Sequence, residues 1–283
     1  MKKLIDLHCH SNKSDGSMSP RELVEHAKRS SLSAIALSDH DTTSGLDEAI
    51  SVANELSIEL VPAIELSVSS ITETHILGYF IDHKSDIMRS ELTKSLEFRR
   101  LRNEETSRML ASLGMDISCD EVYSSFESDI IGRAHFASLM VKKGYVGSVK
   151  EGFDRYLSNN CPAYSSLQYF SPEGAIDLIH KAGGIAFAAH LHQMKLDDEK
   201  LFSYLIKLKE AGLDGIEGYY TEYTPEMGTK FRGMADKLGF ILSGGTDFHA
   251  KMKPQISIGK GYGDLEIDYS VLAAMKEYHK QRR

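Results

Sequence analysis

The sequence predicts an α/β fold in which alternating strands and helices are interrupted by an inserted helical segment. Short apolar runs alternate with amphipathic helical patterns in the first third and again after about residue 160, which is typical of βαβ units and a parallel sheet. Between residues 86 and 160 long charged helices replace this alternation. Histidine and carboxylate side chains follow several predicted strands, and strand ends form the active-site face of parallel sheets and barrels.

The first third carries the clearest signals for individual elements. We expect strands at KLIDLH, SAIALSDH, IELVPAIEL and THILGYF, and helices at SPRELVEHAKRSSL and SGLDEAISVANELS. The first helix has a complete start signal, because Ser19 can cap it, Pro20 suits its first turn and Glu22 completes a capping box. These signals predict two successive βα units at the start of the chain.

The remaining elements divide into an insertion and a second alternating region. The insertion begins with SELTKSLEFRRLRNEETSRMLASLG and has almost no strand signal. Alternation then resumes with helix SPEGAIDLIHKAGG before strand IAFAAH, helix DDEKLFSYLIKLKEAG before LDGIEGYY, and PEMGTKFRGMADKLG before FILSGGTDFH. We therefore expect a barrel domain built from residues 1–85 and 161–283, and a helical substrate-capping subdomain from residues 86–160.

The composition excludes several classes of protein. With 283 residues, 41% hydrophobic and 26% charged, the chain has the balance of a globular protein. Its net charge of −8 argues against a broad nucleic-acid-binding face, so we expect no stable DNA binding. The 3 cysteines form no C-x-x-C pair, and neither a signal peptide nor an apolar run of membrane length occurs. We expect a cytoplasmic protein without membrane contacts, and the sequence does not predict its oligomeric state.

The pair His8 and His10 follows the first apolar run. Residues i and i+2 of a regular strand point to one side, so both imidazoles can bind one ion while Cys9 packs as a small hydrophobe. Asp247 and His249 repeat this spacing after the last predicted strand. Imidazoles and carboxylates together suit zinc, iron or manganese. The sequence therefore predicts a metal site from residues that follow strands, namely His8, His10, His40, Glu65, His75, His190, Asp247 and His249.

Six segments carry a resemblance to a known family: DLHCHSNKSDGSMSP, LSDHDTTSG, PAIELS, THILGY, AAH and GGTDFH. In their order and spacing they resemble the motifs of the PHP superfamily, named for polymerase and histidinol phosphatase domains. The resemblance covers nearly the whole chain and is closest to the branch that cleaves nucleotide phosphate esters, including 3′,5′-bisphosphates, and trims short RNAs from the 5′ end. That branch carries a helical insertion after the fourth motif, as this chain does. The resemblance implies a distorted barrel of seven β/α units, the PHP fold.

The resemblance also implies a site for three divalent metal ions, which would be manganese, iron or zinc. One ion would be held by His8, His10, Glu65 and Asp247, a second by Glu65, His75 and His190, and a third by Asp15, His40 and His249. The chain departs from the family at the second ion, because the usual His-Pro is replaced by His190-Leu191-His192. His192 is thus an alternative ligand or a substrate contact, although His190 directly ends the apolar strand.

The predicted chemistry is hydrolysis of a phosphate ester. Clustered cations generate hydroxide near neutral pH and neutralise phosphoryl oxygens, so no protein nucleophile is needed. Asp39 and Asp41 flank His40 and are the candidate catalytic residues, either orienting an imidazole or donating a proton to the leaving oxygen. Asp41 has the alternative interpretation of a turn residue or N-cap before the second helix.

Substrate contacts are predicted outside the metal motifs. In DIIGRAHFASLM, Arg133 and His135 open a helix whose N-terminus favours an anion, and the guanidinium can bind a second phosphate. Gly-Arg-x-His also resembles the substrate-contacting motif of the nucleotide branch, whereas the alternative pairs Arg133 with an acidic helix of the insertion. Tyr164, Tyr219 and Tyr220 are candidates either for base stacking or for packing.

We therefore expect a metal-dependent phosphoesterase whose partner is a small phosphorylated nucleotide or a short RNA. Its substrates would be nucleoside 3′,5′-bisphosphates, cleaved at the 3′-phosphate, or the 5′ ends of short oligoribonucleotides. Histidinol phosphate is the alternative substrate, and a metal- or nucleotide-binding regulatory module without turnover is the alternative class. An amidohydrolase barrel also begins with H-x-H, but the additional DGSMSP and SDHD segments argue against it.

Overall fold

One sheet of seven strands runs through the computed structural model, which describes residues 2–70 and 72–282. The strands lie in the sheet in chain order: β1 Ile5–Cys9, β2 Ala34–Leu37, β3 Glu59–Val68, β4 Thr74–Tyr79, β5 Ile185–Ala188, β6 Gly215–Tyr220 and β7 Ile241–Gly245. The sheet nearly closes into a barrel, because the His10 N–H donates to the Phe248 carbonyl at 2.9 Å and the Phe248 N–H donates to the His8 carbonyl at 3.2 Å. The predicted distorted seven-stranded α/β barrel is confirmed.

One strand runs against the others. β1, β2 and β3 are parallel, as are β5, β6 and β7, but β4 is antiparallel to both of its neighbours. The connection 69–73 is too short for a parallel crossover, which needs about a dozen residues or more. The expectation of a parallel sheet is therefore wrong at β4. His75 stands near the start of this strand rather than after its end, and the reversal brings it to the same mouth of the barrel as the ends of the parallel strands.

Gly245 allows β7 to approach β1 closely. A Cβ atom at this position would lie 2.3 Å from the Cβ atom of His8 and 2.4 Å from its backbone nitrogen. Real Cβ atoms do not come so near to backbone, so any side chain here would push the two strands apart. The missing side chain places Asp247, two residues further on, beside His8 of β1 and His10 just after that strand.

Alternation along the strands separates the barrel interior from its outer face. Val61 and Ala63 of β3 belong to the same buried cluster as Tyr79 of β4 and Phe187 of β5. Glu65 continues this i, i+2 series and therefore points to the same interior side, above the apolar residues. The barrel thus has a packed apolar floor, and a charged residue stands at its upper end.

Six helices pack around the barrel, namely α1 Pro20–Arg29, α2 Leu46–Leu56, α7 Pro172–Lys181, α8 Asp198–Glu210, α9 Pro225–Leu238 and α10 Ser270–Arg282. The capping box predicted for α1 is confirmed: the Glu22 N–H donates to Ser19 Oγ, and the Ser19 N–H donates to Glu22 Oε2. Helix α10 was not anticipated from the sequence, and its Leu272 and Met275 complete the apolar floor of the barrel.

The chain between β4 and α7 forms the helices α3 Asp86–Ser112, α4 Cys119–Ser125, α5 Arg133–Lys142 and α6 Val149–Gly152, followed by a π-helical turn, Phe153–Leu157. Helix α3 begins against the barrel core with Met88 and ends in a separate small core with Leu110. The boundaries of the helical subdomain at residues 86 and 160 stay a prediction. Within residues 2–70 and 72–282 no helix is both long and apolar enough to cross a membrane.

Candidate metal centre

The predicted metal ligands converge at one mouth of the barrel. They form three overlapping groups: His8, His10, Glu65 and Asp247; His10, Asp15, His40 and His249; and His40, Glu65 and His75. Within each group, one ligand atom from each residue lies within 4.8 Å of the others. Because His10, His40 and Glu65 each belong to two groups, ions held by these groups would be close neighbours.

Glu65 stands at the centre of the cluster, and its two carboxylate oxygens face different histidines. Oε2 lies 3.1 Å from His8 Nε2, 3.2 Å from His10 Nε2 and 3.2 Å from His40 Nδ1. Oε1 lies 2.9 Å from both His75 Nδ1 and His190 Nε2. A carboxylate placed between two sets of imidazoles has the geometry of a bridging ligand.

Asp247 also presents its two oxygens to different partners. Oδ1 faces the imidazoles, at 3.3 Å from His10 Nε2 and 3.4 Å from His249 Nδ1. Oδ2 accepts hydrogen bonds from the Tyr220 hydroxyl at 2.9 Å and from Lys253 Nζ at 2.6 Å. The second pair of contacts holds the carboxylate so that its first oxygen points into the cluster.

Asp15 reaches the cluster from the loop after β1. Its Oδ1 lies 3.0 Å from His249 Nε2, and its Oδ2 lies 3.9 Å from His40 Nε2. The structure thus brings together all three residues predicted for the third ion, and it adds His10 to the same group.

The structure separates the two candidate histidines after β5. His190 Nε2 lies 2.9 Å from Glu65 Oε1 and 3.2 Å from His75 Nδ1, as expected for the second predicted ion. His192 Nε2 instead lies 2.9 Å from Glu222 Oε2 at the rim of the site. This placement favours His190 over His192 as the ligand, although the ligand assignment itself remains a prediction.

The donor set fits divalent cations. His10 Nε2 and His40 Nδ1 are buried and make no hydrogen bond to any other part of the chain that the structure describes. Both atoms lie 3.2 Å from Glu65 Oε2, so a cation between them would satisfy nitrogen and oxygen together. Imidazoles combined with carboxylates are typical ligands of zinc, iron and manganese.

The electrostatics of the cluster keep its carboxylate in the form that binds metal. Burial acts to raise the pKa of Glu65, but the imidazoles of His40 and His8 hold that pKa well below its usual range. Burial likewise acts to lower the pKa of His10, whereas contacts with Asp247 and Glu65 raise it to about 9. Buried imidazoles that attract protons would also attract cations, which compete for the same nitrogen atoms.

Glu217 of β6 is a buried member of the site that the sequence did not reveal. Its Oε1 lies 2.8 Å from His8 Nδ1, and its Oε2 accepts a hydrogen bond from the His190 N–H at 2.7 Å. A carboxylate on the second nitrogen of a ligating histidine fixes the tautomer and orientation of the ring. The sequence does carry one sign of this role, because Glu217 is the charged residue in the strand GIEGYY, whose other residues are glycine, isoleucine and tyrosine.

Asp39 makes its hydrogen bonds to serines of the loop after β1, and its catalytic role stays a prediction. Its Oδ1 accepts hydrogen bonds from the Ser11 N–H at 2.8 Å and the Ser14 hydroxyl at 2.6 Å, and its Oδ2 accepts one from the Ser11 hydroxyl at 2.6 Å. The carboxylate therefore secures the loop that carries Asp15. It lies outside the lining of the described cavity, so its placement supports neither imidazole orientation nor proton donation.

Asp41 likewise has partners other than an imidazole. Its Oδ1 accepts a hydrogen bond from the Ser67 N–H at 2.9 Å, and its Oδ2 forms an ion pair with Arg99 of α3. The N-cap of α2 is Gly45, so Asp41 does not cap that helix either. Its observed position joins the end of β2 with β3 and the helical insertion, and these contacts do not support a catalytic role, which stays a prediction.

A cavity of about 610 Å³ opens above the cluster, and one of its walls is cationic. Arg99 and Arg102 of α3 and Arg133 of α5 all line it. A Cβ atom on Gly132 would lie 3.2 Å from Arg99 Nη1 and 3.9 Å from Arg102 Nη2, which shows how closely these guanidinium groups approach the start of α5. Arg99 and Arg102 were not predicted, because their sequence context is that of a charged surface helix.

Arg133 and His135 lie in the first turn of α5, as predicted, and both line the cavity, while their contact with substrate stays a prediction. Arg133 Nη2 donates to Glu73 Oε1 at 2.7 Å, so its acidic partner comes from the β3–β4 connection rather than from a helix of the insertion. His135 is buried, and its Nδ1 accepts a hydrogen bond from the Gly132 N–H at 3.1 Å. His135 therefore shapes the turn that presents Arg133.

The candidate tyrosines have packing positions. Tyr220 is 3% exposed, lies outside the cavity lining and donates its hydroxyl hydrogen bond to Asp247. The guanidinium of Arg133 lies 5.3 Å from the centre of the Tyr164 ring, and that of Arg232 lies 5.1 Å from the Tyr219 ring. Tyr220 thus positions a candidate metal ligand and Tyr164 supports Arg133, so these placements do not favour direct base stacking.

Comparison with known families identifies the barrel. The sequence model of the PHP domain family matches residues 6–226 of the chain. The chain belongs to the PHP domain family. The predicted membership is confirmed, and the match begins two residues before His8 and ends within α9.

Three proteins similar to this chain are named as enzymes that cleave phosphoric esters. The chain is 32% identical over 279 residues to a 5′-3′ exoribonuclease of Haemophilus influenzae, covering 98% of this chain and 100% of the relative. It is 33% identical over 248 residues to a 3′,5′-nucleoside bisphosphate phosphatase of Chromobacterium violaceum, covering 87% of each. The crystal structure of a putative metal-dependent phosphoesterase of Bifidobacterium adolescentis superposes with a TM-score of 0.83 at 27% identity, covering 96% of this chain and 95% of that one. These relatives confirm the predicted enzyme class, a hydrolase of phosphoric esters.

Proposed function

We propose that this PHP domain hydrolyses the bond between phosphorus and O3′ of a nucleotide that also carries a 5′-phosphate. Nucleoside 3′,5′-bisphosphates contain this bond, and so does the first linkage of a short RNA with a 5′-phosphate. The observation that carries the proposal is that one cavity has the metal-ligand cluster at its floor and the guanidinium groups of Arg99, Arg102 and Arg133 on one wall. Such a cavity offers two separate sites for anions.

The arginine wall has more positive charge than its neighbours neutralise. Arg99 pairs with Asp41 and Arg133 with Glu73, but Arg102 donates to the neutral amide oxygen of Gln168 at 3.1 Å. Burial and the nearby Arg133 lower the pKa of Arg102 to about 9. An anion bound at this wall would offset both the burial and the mutual repulsion of the guanidinium groups. A phosphate group, with oxygens suited to bidentate contacts, has the appropriate charge and geometry.

Three divalent ions, of manganese, iron or zinc, fit the donor groups at the floor. His8, His10, Glu65 and Asp247 would hold one, Glu65, His75 and His190 a second, and Asp15, His40 and His249 a third. Ions in such a site supply hydroxide near neutral pH and neutralise the charge of the phosphoryl oxygens. The chain itself orients this donor set through Glu217 and Tyr220, and its arginine wall places the scissile 3′-phosphate by binding the 5′-phosphate.

The relatives support this choice of bond. The names of the Haemophilus influenzae and Chromobacterium violaceum proteins refer to an exoribonuclease and to a bisphosphate phosphatase. Release of a 5′-nucleotide from a 5′-phosphorylated RNA end breaks the same P–O3′ bond as removal of a 3′-phosphate from a bisphosphate. The net charge of −8 favours small or short substrates over long nucleic acids.

The test is phosphate release from adenosine 3′,5′-bisphosphate by the full chain loaded with manganese, beside a chelator-treated sample. Adenosine 3′-phosphate is the matched substrate, because it has the same scissile bond but no 5′-phosphate. We expect metal-dependent release and a much lower KM for the bisphosphate. Equal kinetics on the two substrates would contradict the role of the arginine wall. A 5′-phosphorylated tetraribonucleotide shows whether the cavity also accepts RNA ends.

Histidinol phosphate is the competing substrate and belongs in the same panel. It carries one phosphate and a positively charged amine, so the arginine wall would repel the remainder of the molecule. We expect weak turnover, and preferential hydrolysis of histidinol phosphate would overturn the nucleotide assignment.

A further inference from the structure

The oxygen that leaves phosphorus needs a partner in the cavity, and neither aspartate that the sequence suggested lines that cavity. Asp39 and Asp41 lie outside the cavity lining and are engaged with backbone, serine and arginine groups. Charge develops on the leaving oxygen as the P–O3′ bond breaks, and a donor aimed at that oxygen accelerates the reaction. The inference below rests on the proposed function, because it concerns the O3′ leaving group.

Lys253 lies where such a donor is required. It follows the short 3₁₀ turn after β7, lines the cavity, and donates from Nζ to Asp247 Oδ2 at 2.6 Å. Its side chain is 35% exposed, whereas that of Asp247 is 6% exposed. The ammonium group is therefore anchored at the edge of the metal-ligand cluster while part of the side chain remains accessible from the cavity.

The ammonium group of Lys253 has hydrogen-bond donors that remain available to a substrate. A lysine side chain has three N–H donors, and within the described residues the ammonium group of Lys253 makes one hydrogen bond, to Asp247. The Tyr220 hydroxyl already binds the same carboxylate oxygen at 2.9 Å, so Asp247 has a second group that orients it. The two remaining N–H groups of Lys253 are thus available to an oxygen in the cavity.

The other cations of the cavity are less suited to this position. Arg99 and Arg133 are paired with Asp41 and Glu73 on the wall formed by the insertion, and Arg102 on the same wall donates to Gln168. Lys150 lines the rim, but its side chain is 83% exposed and pairs with Asp154. Among the described residues of the lining, Lys253 is the cation in direct contact with a predicted metal ligand.

We propose that Lys253 is a catalytic residue whose ammonium group donates a hydrogen bond to O3′ while the P–O3′ bond breaks. The oxygen of the attacking water forms the new bond to phosphorus and its proton passes to solvent, while the electron pair of the broken bond passes to O3′. A proton from solvent water completes the 3′-hydroxyl group, and the lysine retains its own protons. The contribution of Lys253 is electrostatic and is largest for a leaving oxygen that is strongly basic.

The experiment compares Lys253→Met with wild type on esters that differ in their leaving group. Adenosine 3′,5′-bisphosphate and glycerol 2-phosphate have alkoxide leaving groups, whereas p-nitrophenyl phosphate has a weakly basic one. Loss of a transition-state donor predicts a decrease of about 100-fold in kcat for the two alkyl esters and of no more than about 5-fold for the aryl ester. Lys251→Met is the matched control, because Lys251 is exposed in the same turn and does not line the cavity.

Measurements of metal binding distinguish a catalytic role of Lys253 from a role in positioning Asp247. The metal content of each variant and its affinity for manganese, measured by titration calorimetry, should equal those of wild type. Equal losses on all three esters, or a loss of metal from Lys253→Met, would overturn the proposal and make Lys253 a positioning residue for Asp247. Glycerol 2-phosphate keeps this test independent of the substrate assignment. If wild type cleaves it but not the bisphosphate, the proposed nucleotide function fails while the leaving-group dependence still decides the role of Lys253.

Discussion

His8 Nδ1 lies 2.8 Å from Glu217 Oε1, and both side chains are inaccessible to solvent. The same carboxylate accepts a hydrogen bond from the backbone N–H of His190. Glu217 therefore connects β1 with the segment after β5, and the histidines of both segments face Glu65. One buried carboxylate thereby aligns two of the predicted ligand groups.

Replacing Glu217 should weaken metal binding more than it weakens the fold. In Glu217→Ala the imidazole of His8 loses the partner that fixes its tautomer, and we expect metal affinity to fall about 10- to 100-fold. Glu217→Gln keeps the shape and a hydrogen-bonding side chain, and should lie between the alanine variant and wild type. Competition with a chelator measures the affinity directly. Wild-type affinity in Glu217→Ala would contradict the assigned role.

Arg102 should strengthen the binding of substrates that carry a 5′-phosphate. We expect Arg102→Met to raise KM for adenosine 3′,5′-bisphosphate about 10-fold or more, as for loss of one charge-assisted contact, with little change for adenosine 3′-phosphate. Arg100→Met is the matched control on the same helix, since Arg100 is exposed and pairs with Glu104. Steady-state kinetics of both variants on both substrates provide the comparison. Equal losses on the two substrates would show that Arg102 does not recognise the 5′-phosphate.

Asp39 should matter for stability rather than for proton transfer. Burial raises the pKa of Asp39, and its oxygens bind Ser11 and Ser14. Asp39→Asn removes a charged acceptor from this buried network, so we expect the free energy of unfolding to fall by about 1–3 kcal/mol. Urea denaturation measures this change, and the pH profile of kcat should keep its shape. A lost limb of that profile with unchanged stability would restore Asp39 as a proton donor.

Protonation of His180 should lower the stability of the folded chain in mild acid. Burial and, after it, Arg282 lower the pKa of His180 from 6.5 to about 4. Between these values the unfolded chain binds a proton that the folded chain does not, so the free energy of unfolding falls as the pH falls. Urea denaturation of metal-free protein from pH 7 to pH 4 measures the slope. We expect a shallower slope in His180→Gln, and an unchanged slope would contradict the assignment.

Much of the site was predictable because its ligands lie in short local patterns. The i, i+2 spacing of His8 and His10 depends only on strand geometry, and both imidazoles do face Glu65. The capping box of Ser19 and Glu22 is equally local and is present in α1. By contrast, the catalytic roles predicted for Asp39 and Asp41 rest on their position beside His40 in the sequence, and their contacts in the structure do not support those roles. Their carboxylates bind Ser11 and Arg99, which come from other segments.

The sequence by itself determined the α/β class, the strand-end histidines and membership of the PHP domain family, since these depend on periodicity and on motifs read along one chain. Only the tertiary structure decided which buried charges meet. Glu217 reaches His8 because the barrel closes, and Arg99 and Arg102 face inward because α3 packs over its mouth. Each of these contacts joins segments whose separation is set by packing, and no local pattern encodes that distance.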